Sequence, residues 1–246
     1  MISKTEDEKT FLVIPARLES KRFPGKVLAE LNGKTILEHV WNAASQAMTD
    51  SSVFIASDSA AVLDAARGFG ANVFENKVSA HNGTERVAEF ARNHSADYYL
   101  NVQADDPGIT AELIAEQLTQ RGKGISVSTP IFKSRDTAGY NTSSSPKTVI
   151  DKNHNALYFS RSPIPHDRDS SRTPTYFGHV GVYLYSRDAL LAYRDEGSCS
   201  IEEIEKLEQL RFLHMGIKIN TFLTDYVPKP IDTPDDLEFW LGGVNG

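Results

Sequence analysis

The chain of 246 residues has a single cysteine, Cys199, which excludes an internal disulfide framework and fits a reducing compartment. It has no apolar run approaching a membrane span, and Met1 to Thr10 (MISKTEDEKT) lacks the apolar core of a signal peptide. Positive charge is in deficit: 26 Lys and Arg stand against 33 Asp and Glu, a formal net charge of −7. An acidic chain argues against nucleic acid or an anionic membrane surface as partner. Internal repeats are lacking, and low complexity is confined to Ser143-Ser144-Ser145. The expectation is a soluble, cytoplasmic protein, with a mobile tail over residues 1–9 and a single domain over 10–246. A hydrophobic content of 40% is enough for one sizeable core or a main domain with a subdomain.

What positive charge there is gathers in one place. Pro15-Ala16-Arg17-Leu18-Glu19-Ser20-Lys21-Arg22-Phe23-Pro24-Gly25-Lys26 carries four cations within ten residues. It follows Phe11-Leu12-Val13-Ile14, which reads as a fully buried strand. Pro15, Pro24 and Gly25 break regular structure, so the segment is a loop at the end of a first strand. Open α/β sheets bind ligands there. Guanidinium forks and an ammonium suit a polyphosphate, whose oxygens they can contact several at once. The same composition also fits a solvated basic loop.

The rest of the first half alternates. Thr35 to Met48 has helical spacing, with Ile36, Leu37, Val40, Trp41, Ala44 and Met48 on one face, after an Asn32-Gly33 turn. Residues 52–56 form a second strand, 60–67 a helix that Gly68 to Gly70 stop, and 72–74 a third strand. This β-α-β-α-β order predicts a mainly parallel sheet flanked by helices. HNGTER (His81 to Arg86) opens another helix, with Val87, Ala88 and Ala91 inward and either a ligand-facing N-terminus or plain capping by Thr84. The strand over 98–103 runs into Ala104-Asp105-Asp106-Pro107, which places a carboxylate at the ligand edge, where Mg²⁺ is commonly held, or caps a turn.

In the second half, a helix is expected over Thr110 to Gln120, strands over 126–129, 148–150 and 157–160, and a connecting loop over Lys133 to Pro146. Arg161, His166, Arg168 and Arg172 form a second cationic cluster, fit for an anionic co-substrate or for a polar surface. Tyr176 to Tyr185 reads as one strand, Ile201 to Met215 as an amphipathic helix with Ile201, Ile204, Leu207, Leu210 and Leu213 inward, and Lys218 to Leu223 as a strand. Thr233 and Pro234 have the signature of a helix start, which leaves Asp232 just outside it. The segment 133–200 reads as an insertion on the parallel sheet.

Seven stretches then match one family in its order: IPARLESKRFPGK (Ile14 to Lys26), HNGTER (His81 to Arg86), NVQADDP (Asn101 to Pro107), ALYFSRSPIPHDRD (Ala156 to Asp169), GHVGVYLY (Gly178 to Tyr185), EKLEQLR (Glu205 to Arg211) and IDTPDDLE (Ile231 to Glu238). On these the chain resembles the CMP-sugar synthetases of the 3-deoxy-manno-octulosonate cytidylyltransferase (CMP-Kdo synthetase) type. The resemblance implies a Rossmann-like sheet of the nucleotidyltransferase type, with an inserted sugar-binding and dimerisation subdomain at roughly 133–200. It implies a cytidylyltransferase that joins CTP to a 3-deoxy-octulosonic acid, Kdo or its 8-amino analogue, releasing pyrophosphate, for lipopolysaccharide biosynthesis. By similarity Arg17, Arg22 and Lys26 hold the triphosphate. Ala16, Ser20, Gly83, Thr84 and Arg86 complete the CTP site. Asp105 and Asp232 bind Mg²⁺. Gln103, Arg161, His179, Tyr183, Tyr185, Glu208 and Gln209 meet the sugar acid, and the family precedent is a homodimer.

The chain departs from the family pattern where Gly-Asp-Glu-Pro is usual and Ala104-Asp105-Asp106-Pro107 stands. It departs also at Pro230, where glycine is usual, at His166, where an aromatic is common, and at Leu184, where a small residue is usual. The rival readings are a metal-dependent glycosyltransferase, a CMP-sialate-type synthetase for another ulosonic acid, and an inactive sugar-nucleotide sensor. The cationic loop discriminates against the glycosyltransferase, since a nucleoside diphosphate donor does not require a triphosphate grip.

Overall fold

The described residues of this computed structural model are 8–169 and 175–242. Residues 1–7 of the predicted tail and Arg172 of the predicted cationic cluster lie outside them. Lys9 is tied to the body: its N–H donates to the Asp97 carboxylate at 2.9 Å, and its carbonyl accepts from the Asp97 N–H at 2.9 Å.

Strand β1 (Thr10–Pro15) is buried along its whole length. An unbroken apolar run suits a strand covered on both faces. Alternate residues point to opposite faces, so Leu12 and Ile14 enter one core cluster and Phe11 and Val13 the other. Each such fully buried side chain contributes roughly 1.5–3 kcal/mol. A small hairpin, β2 (Glu30–Leu31) and β3 (Lys34–Thr35), turns at Asn32 and Gly33, both at positive φ (52° and 79°). That is what a two-residue turn of the Asn-Gly kind requires. Helix α1 (Ile36–Ala47) follows, its Thr35 cap accepting from the Glu38 N–H. Next come β4 (Val53–Ser57), α2 (Ala60–Gly68), β5 (Asn72–Glu75), α3 (Gly83–Asn93), β6 (Tyr98–Val102), α4 (Ala111–Leu118) and β7 (Val127–Ser134). The remaining elements are α5 (Thr137–Asn141), β8 (Lys147–Ile150), β9 (Ala156–Ser160), β10 (Tyr176–His179), β11 (Val182–Ser186), α6 (Arg187–Glu196), α7 (Ser200–Glu205), α8 (Leu210–His214), β12 (Ile219–Leu223) and α9 (Pro234–Gly242).

The sheet runs β5-β4-β1-β6-β11-β7-β10-β8-β9, with β12 on β7. Its first four strands are parallel neighbours, and β12 is parallel to β7. Strand β11 enters antiparallel between β6 and β7. Strand order reverses at β1, where the chain first moves out to β4 and β5 and later returns to β6 on the other side. A crevice opens at such a reversal, beyond the carboxyl ends of the strands. The segment 133–200 adds β8 to β11 to this same sheet.

Four expectations are corrected. The strand expected over 126–129 continues through Pro130 to Ser134, and the loop expected from Lys133 contains α5, whose Asp136 cap accepts from Ala138 and Gly139 N–H groups. The strand expected over Tyr176 to Tyr185 is two strands, because the chain tightens at Val180–Gly181, where the Val182 N–H turns back onto the Val180 carbonyl at 2.8 Å. The helix expected over Ile201 to Met215 breaks into α7 and α8 at Lys206, which is left-handed (φ 54°). Ile204 is thereby left 78% exposed, while Leu207 and Leu210 stay buried. Helix α6 was not anticipated, although its Ser186 cap and Asp188 are an ordinary start signal.

Candidate active site

At the end of β1 the Ala16 N–H still bonds the Ala56 carbonyl, at 2.9 Å, and from there the chain leaves the sheet as the cationic loop. Gly25, left-handed at φ 73°, closes the loop by donating to the Leu18 carbonyl at 3.0 Å and returns Lys26 to the crevice. Lys26 Nζ lies 2.8 Å from Asp105 Oδ2 and 2.8 Å from Asp232 Oδ1. Arg22 Nη2 lies 2.9 Å from Asp232 Oδ2. Arg17 also lines the crevice. Ser20 and the buried Ala16 lie outside its lining.

The two aspartates reach this point by different routes. Asp105 follows β6. Asp232 precedes α9, whose first turn is fixed by Asp236: its Oδ2 accepts from the Asp232 and Thr233 N–H groups at 3.0 and 2.8 Å, and Thr233 caps the Asp236 N–H. The Ile231 N–H donates to the Asp105 carbonyl at 2.8 Å, joining the two segments. Burial favours neutral Lys26, but Asp105 and Asp232 outweigh it and raise the ammonium pKa above its usual value. Burial likewise acts to raise the Asp232 pKa, and Lys26 and Arg22 overcome it, so the net shift is downward. Among the described residues no group of three or more His, Cys, Asp or Glu could hold a metal ion. A pair of carboxylates facing a polyphosphate-sized cleft is nonetheless the donor set that Mg²⁺ takes, since it fills its remaining positions with water and phosphate oxygens.

Opposite the loop, the N-terminus of α3 points into the crevice. Asn82, not Thr84, is the cap; its side chain accepts from the Glu85 N–H at 2.8 Å. Thr84 sits in the first turn, fully buried, with its hydroxyl 2.9 Å from the Tyr185 hydroxyl. Gly83 packs so close that an added Cβ would come within 3.2 Å of Gln103 Nε2 and of Pro15 Cγ. Arg86 is buried and pairs with Asp58 at 2.7 Å; its Nη1 finds no partner among the described residues.

Behind α3 lies a polar lattice that the sequence reading missed. Arg211, fully buried, donates to Glu202 through Nε (2.7 Å) and Nη2 (2.8 Å), and to Glu85 at 3.0 Å. Arg194 holds the other Glu85 oxygen at 2.8 Å. Asn82 Nδ2 donates to Glu202 at 2.9 Å and to the Tyr193 hydroxyl at 2.8 Å. Burial raises the Glu85 pKa, but the His81 N–H, Arg211 and Arg194 win and lower it. The signal in the sequence was faint: Glu85 and Arg211 each end or sit within a motif, with nothing to show that they pair.

The far end of the cleft is built from the broken helix and from β10–β11. Glu208 accepts from the Thr84 N–H at 3.0 Å and from Gln103 Nε2 at 3.2 Å. Burial raises the Glu208 pKa more than the Thr84 and Gly83 groups facing it lower it. Gln209 is 2% exposed, and its Nε2 has no partner among the described residues. His179 lies 3.3 Å from the Thr129 hydroxyl, and burial brings its pKa down to about 3, so the ring is neutral. Tyr183 lines the cleft, whereas Tyr185 lies behind it on Thr84. Arg161 lines the cleft, with its guanidinium donating to the carbonyls of Glu205 (2.7 Å), Ser143 (2.9 Å) and Lys206 (3.1 Å). His166 and Arg168 do not line it. The cleft as a whole is about 1060 Å³, wide enough for a nucleotide and a second substrate.

A family model described as cytidylyltransferase matches residues 11–219. The chain is 42% identical over 228 residues to the 3-deoxy-manno-octulosonate cytidylyltransferase of Solibacter usitatus (strain Ellin6076), covering 92% of this chain and 90% of that one. It is 38% identical over 233 residues to the 8-amino-3,8-dideoxy-manno-octulosonate cytidylyltransferase of Shewanella pealeana (strain ATCC 700345 / ANG-SQ1), covering 92% and 94%. Among solved structures it superposes on a CMP:2-keto-3-deoxy-manno-octonic acid synthetase complexed with CTP, with TM-score 0.85, 34% identity, and 96% and 98% of the two chains covered. At 14% identity, a 4-diphosphocytidyl-2C-methyl-D-erythritol synthase from Anaerococcus prevotii shares the fold, with TM-score 0.65 and 96% and 99% of the two chains covered.

Proposed function

The chain belongs to the cytidylyltransferase family, a family of nucleotidyltransferases, and from that premise we propose that it activates a 3-deoxy-octulosonic acid, Kdo or its 8-amino analogue, with CTP. The anomeric hydroxyl gives up its proton to solvent as its oxygen bonds to the α-phosphorus, the bond from that phosphorus to the bridging oxygen breaks, and pyrophosphate leaves, with the CMP-sugar as the other product. One observation carries the reading: Lys26 and Arg22 from the cationic loop meet Asp105 and Asp232 at single hydrogen-bond distances inside one cleft.

Transfer of this kind asks mainly for positioning and for stabilisation of charge on phosphate oxygens. Arg17, Arg22 and Lys26 grip the triphosphate. Gly83, with no Cβ, and the buried Arg86 form the nucleoside side, where the free Arg86 Nη1 has a hydrogen bond to give. Asp105 and Asp232 would hold Mg²⁺, which when bound would supply charge neutralisation on the phosphates and lower the pKa of the attacking hydroxyl. On the sugar side Gln103, Gln209 and Tyr183 offer hydrogen bonds. His179 does so as a neutral ring, and Glu208 aims Gln103. Arg161 lines the cleft with its guanidinium holding three carbonyls, and Tyr185 acts from behind through the Thr84 hydroxyl it holds.

The enzyme works in the cytoplasm, where CTP is made, as a homodimer to which the segment 133–200 contributes. Leu157 on β9, 60% exposed, is apolar surface that such an interface would cover. Light scattering on the purified protein measures the dimer. The chemistry is tested by offering CTP or UTP with a panel of ulosonic acids and identifying the product by mass. A CMP adduct of a 3-deoxy-octulosonic acid is expected. Product from a sialic acid alone, or from none of the panel, would overturn the reading.

A further inference from the structure

Resting on that reading, we propose that Lys26 and Arg22 are the built-in counter-cations of the Asp105–Asp232 pair, and that a divalent ion enters only as the nucleotide triphosphate draws them off. The loop would then couple nucleotide and metal binding.

Both oxygens of Asp232 are taken, Oδ1 by Lys26 and Oδ2 by Arg22, and Asp105 offers Oδ2 to the same ammonium. Two negative charges are thus matched by two positive ones. A divalent ion directed at these carboxylates competes with an ammonium that is already 2.8 Å from each, and like charges cannot share that position. The contest is a costly one in the free protein. Opposite charges in contact at a partly buried site attract each other far more strongly than in bulk water. The Lys26 side chain is only 11% exposed, so leaving it without an anion strands a charge in poor solvent.

The triphosphate changes the balance. It carries several negative charges to the loop from which both cations come. Lys26 has a flexible four-carbon stem, and Arg22 is 58% exposed beside the left-handed Gly25, so each can change partners without unpacking a core. Once they turn to phosphate, Asp105 and Asp232 are free, and the phosphates provide the further oxygens that a hard divalent ion needs. Binding of the two ligands is therefore coupled, and the coupling is reciprocal.

The test uses Mn²⁺ as probe, titrated into the full-length protein without nucleotide and followed by the loss of the free-ion paramagnetic resonance signal. Lys26→Met is expected to bind Mn²⁺ about tenfold tighter or more than the wild type, and Lys26→Met/Asp105→Asn to lose that gain. Arg22→Gln, at an exposed position, should tighten binding several-fold and carries the test should Lys26→Met fold poorly. Unchanged Mn²⁺ affinity in a folded Arg22→Gln or Lys26→Met protein would overturn the proposal. If the wild type meanwhile releases pyrophosphate from CTP, the counter-cation role alone has failed. Tightened Mn²⁺ binding supports the counter-cation role even in a protein that fails to use CTP.

Discussion

Arg22 and Arg211 both pair with carboxylates around the same cleft, yet substitution should separate them sharply. Arg22 is 58% exposed on its loop, and exposed ion pairs contribute about 0–1 kcal/mol. Arg22→Gln should therefore leave the urea midpoint nearly unchanged while raising the KM for CTP about tenfold, roughly the effect of losing one charge-assisted contact. A large loss of stability would count against this. Arg211 is fully buried between Glu85 and Glu202. Arg211→Met leaves buried Glu202 without its cation and Glu85 with Arg194 alone, and unfolding should show a loss of about 3–5 kcal/mol. His179 supplies a pH dependence. Its folded pKa, brought down to about 3 by burial, lies below that of an ordinary histidine, so protons bind the unfolded chain first. The stability owed to neutral His179 is intact above about pH 6.5 and falls by about 1.4 kcal/mol per pH unit below it. His179→Gln should remove that slope, and urea melts between pH 5 and 6.5 would show it; an unchanged slope contradicts the assignment.

Among the elements, the break between α7 and α8 decides most. The apolar spacing over Ile201 to Met215 describes one helix, and a continuous helix would have kept Ile204 on the inner face. Lys206 instead turns left-handed, and the Lys206 carbonyl is received by Arg161 at 3.1 Å. The turn brings Glu208 to the Thr84 N–H and buries Gln209 at the cleft wall. No local propensity signals a lysine at positive φ, which is why the break was not legible. Lys206→Val, a β-branched residue in that conformation, should cost about 1–3 kcal/mol and raise the KM for the sugar acid more than that for CTP. Equal changes in both would contradict a role in aiming Glu208 and Gln209. At α3 HNGTER reads as a helix start, but the helix begins one residue before Thr84, so Asn82 caps the Glu85 N–H and the Thr84 hydroxyl turns to Tyr185.

At the scale of the whole molecule, what was legible is what is contiguous. The buried run at β1, the loop to Lys26, the strand-end Asp105 and the start of α9 beside Asp232 are each written within a dozen residues, and the parallel character of β5, β4, β1 and β6 follows from the alternation of strands and helices. The Arg211 lattice joins α3, α6, α7 and α8, so no single stretch of sequence contains it. Asp106 belongs to the same class: its carboxylate accepts from the Tyr226 hydroxyl at 2.6 Å, a tie between β6 and the segment leading to Asp232 that only the fold creates. Asp105 and Asp232 were expected to meet on the strength of family resemblance, and here the chain brings them to one ammonium. That meeting is the central claim, and the rate of pyrophosphate release from CTP in the presence of Mg²⁺ tests it most directly. Release should require a 3-deoxy-octulosonic acid and fall about 100-fold or more in a folded Asp105→Asn protein. Release without the sugar acid, or at an undiminished rate in Asp105→Asn, would contradict the account.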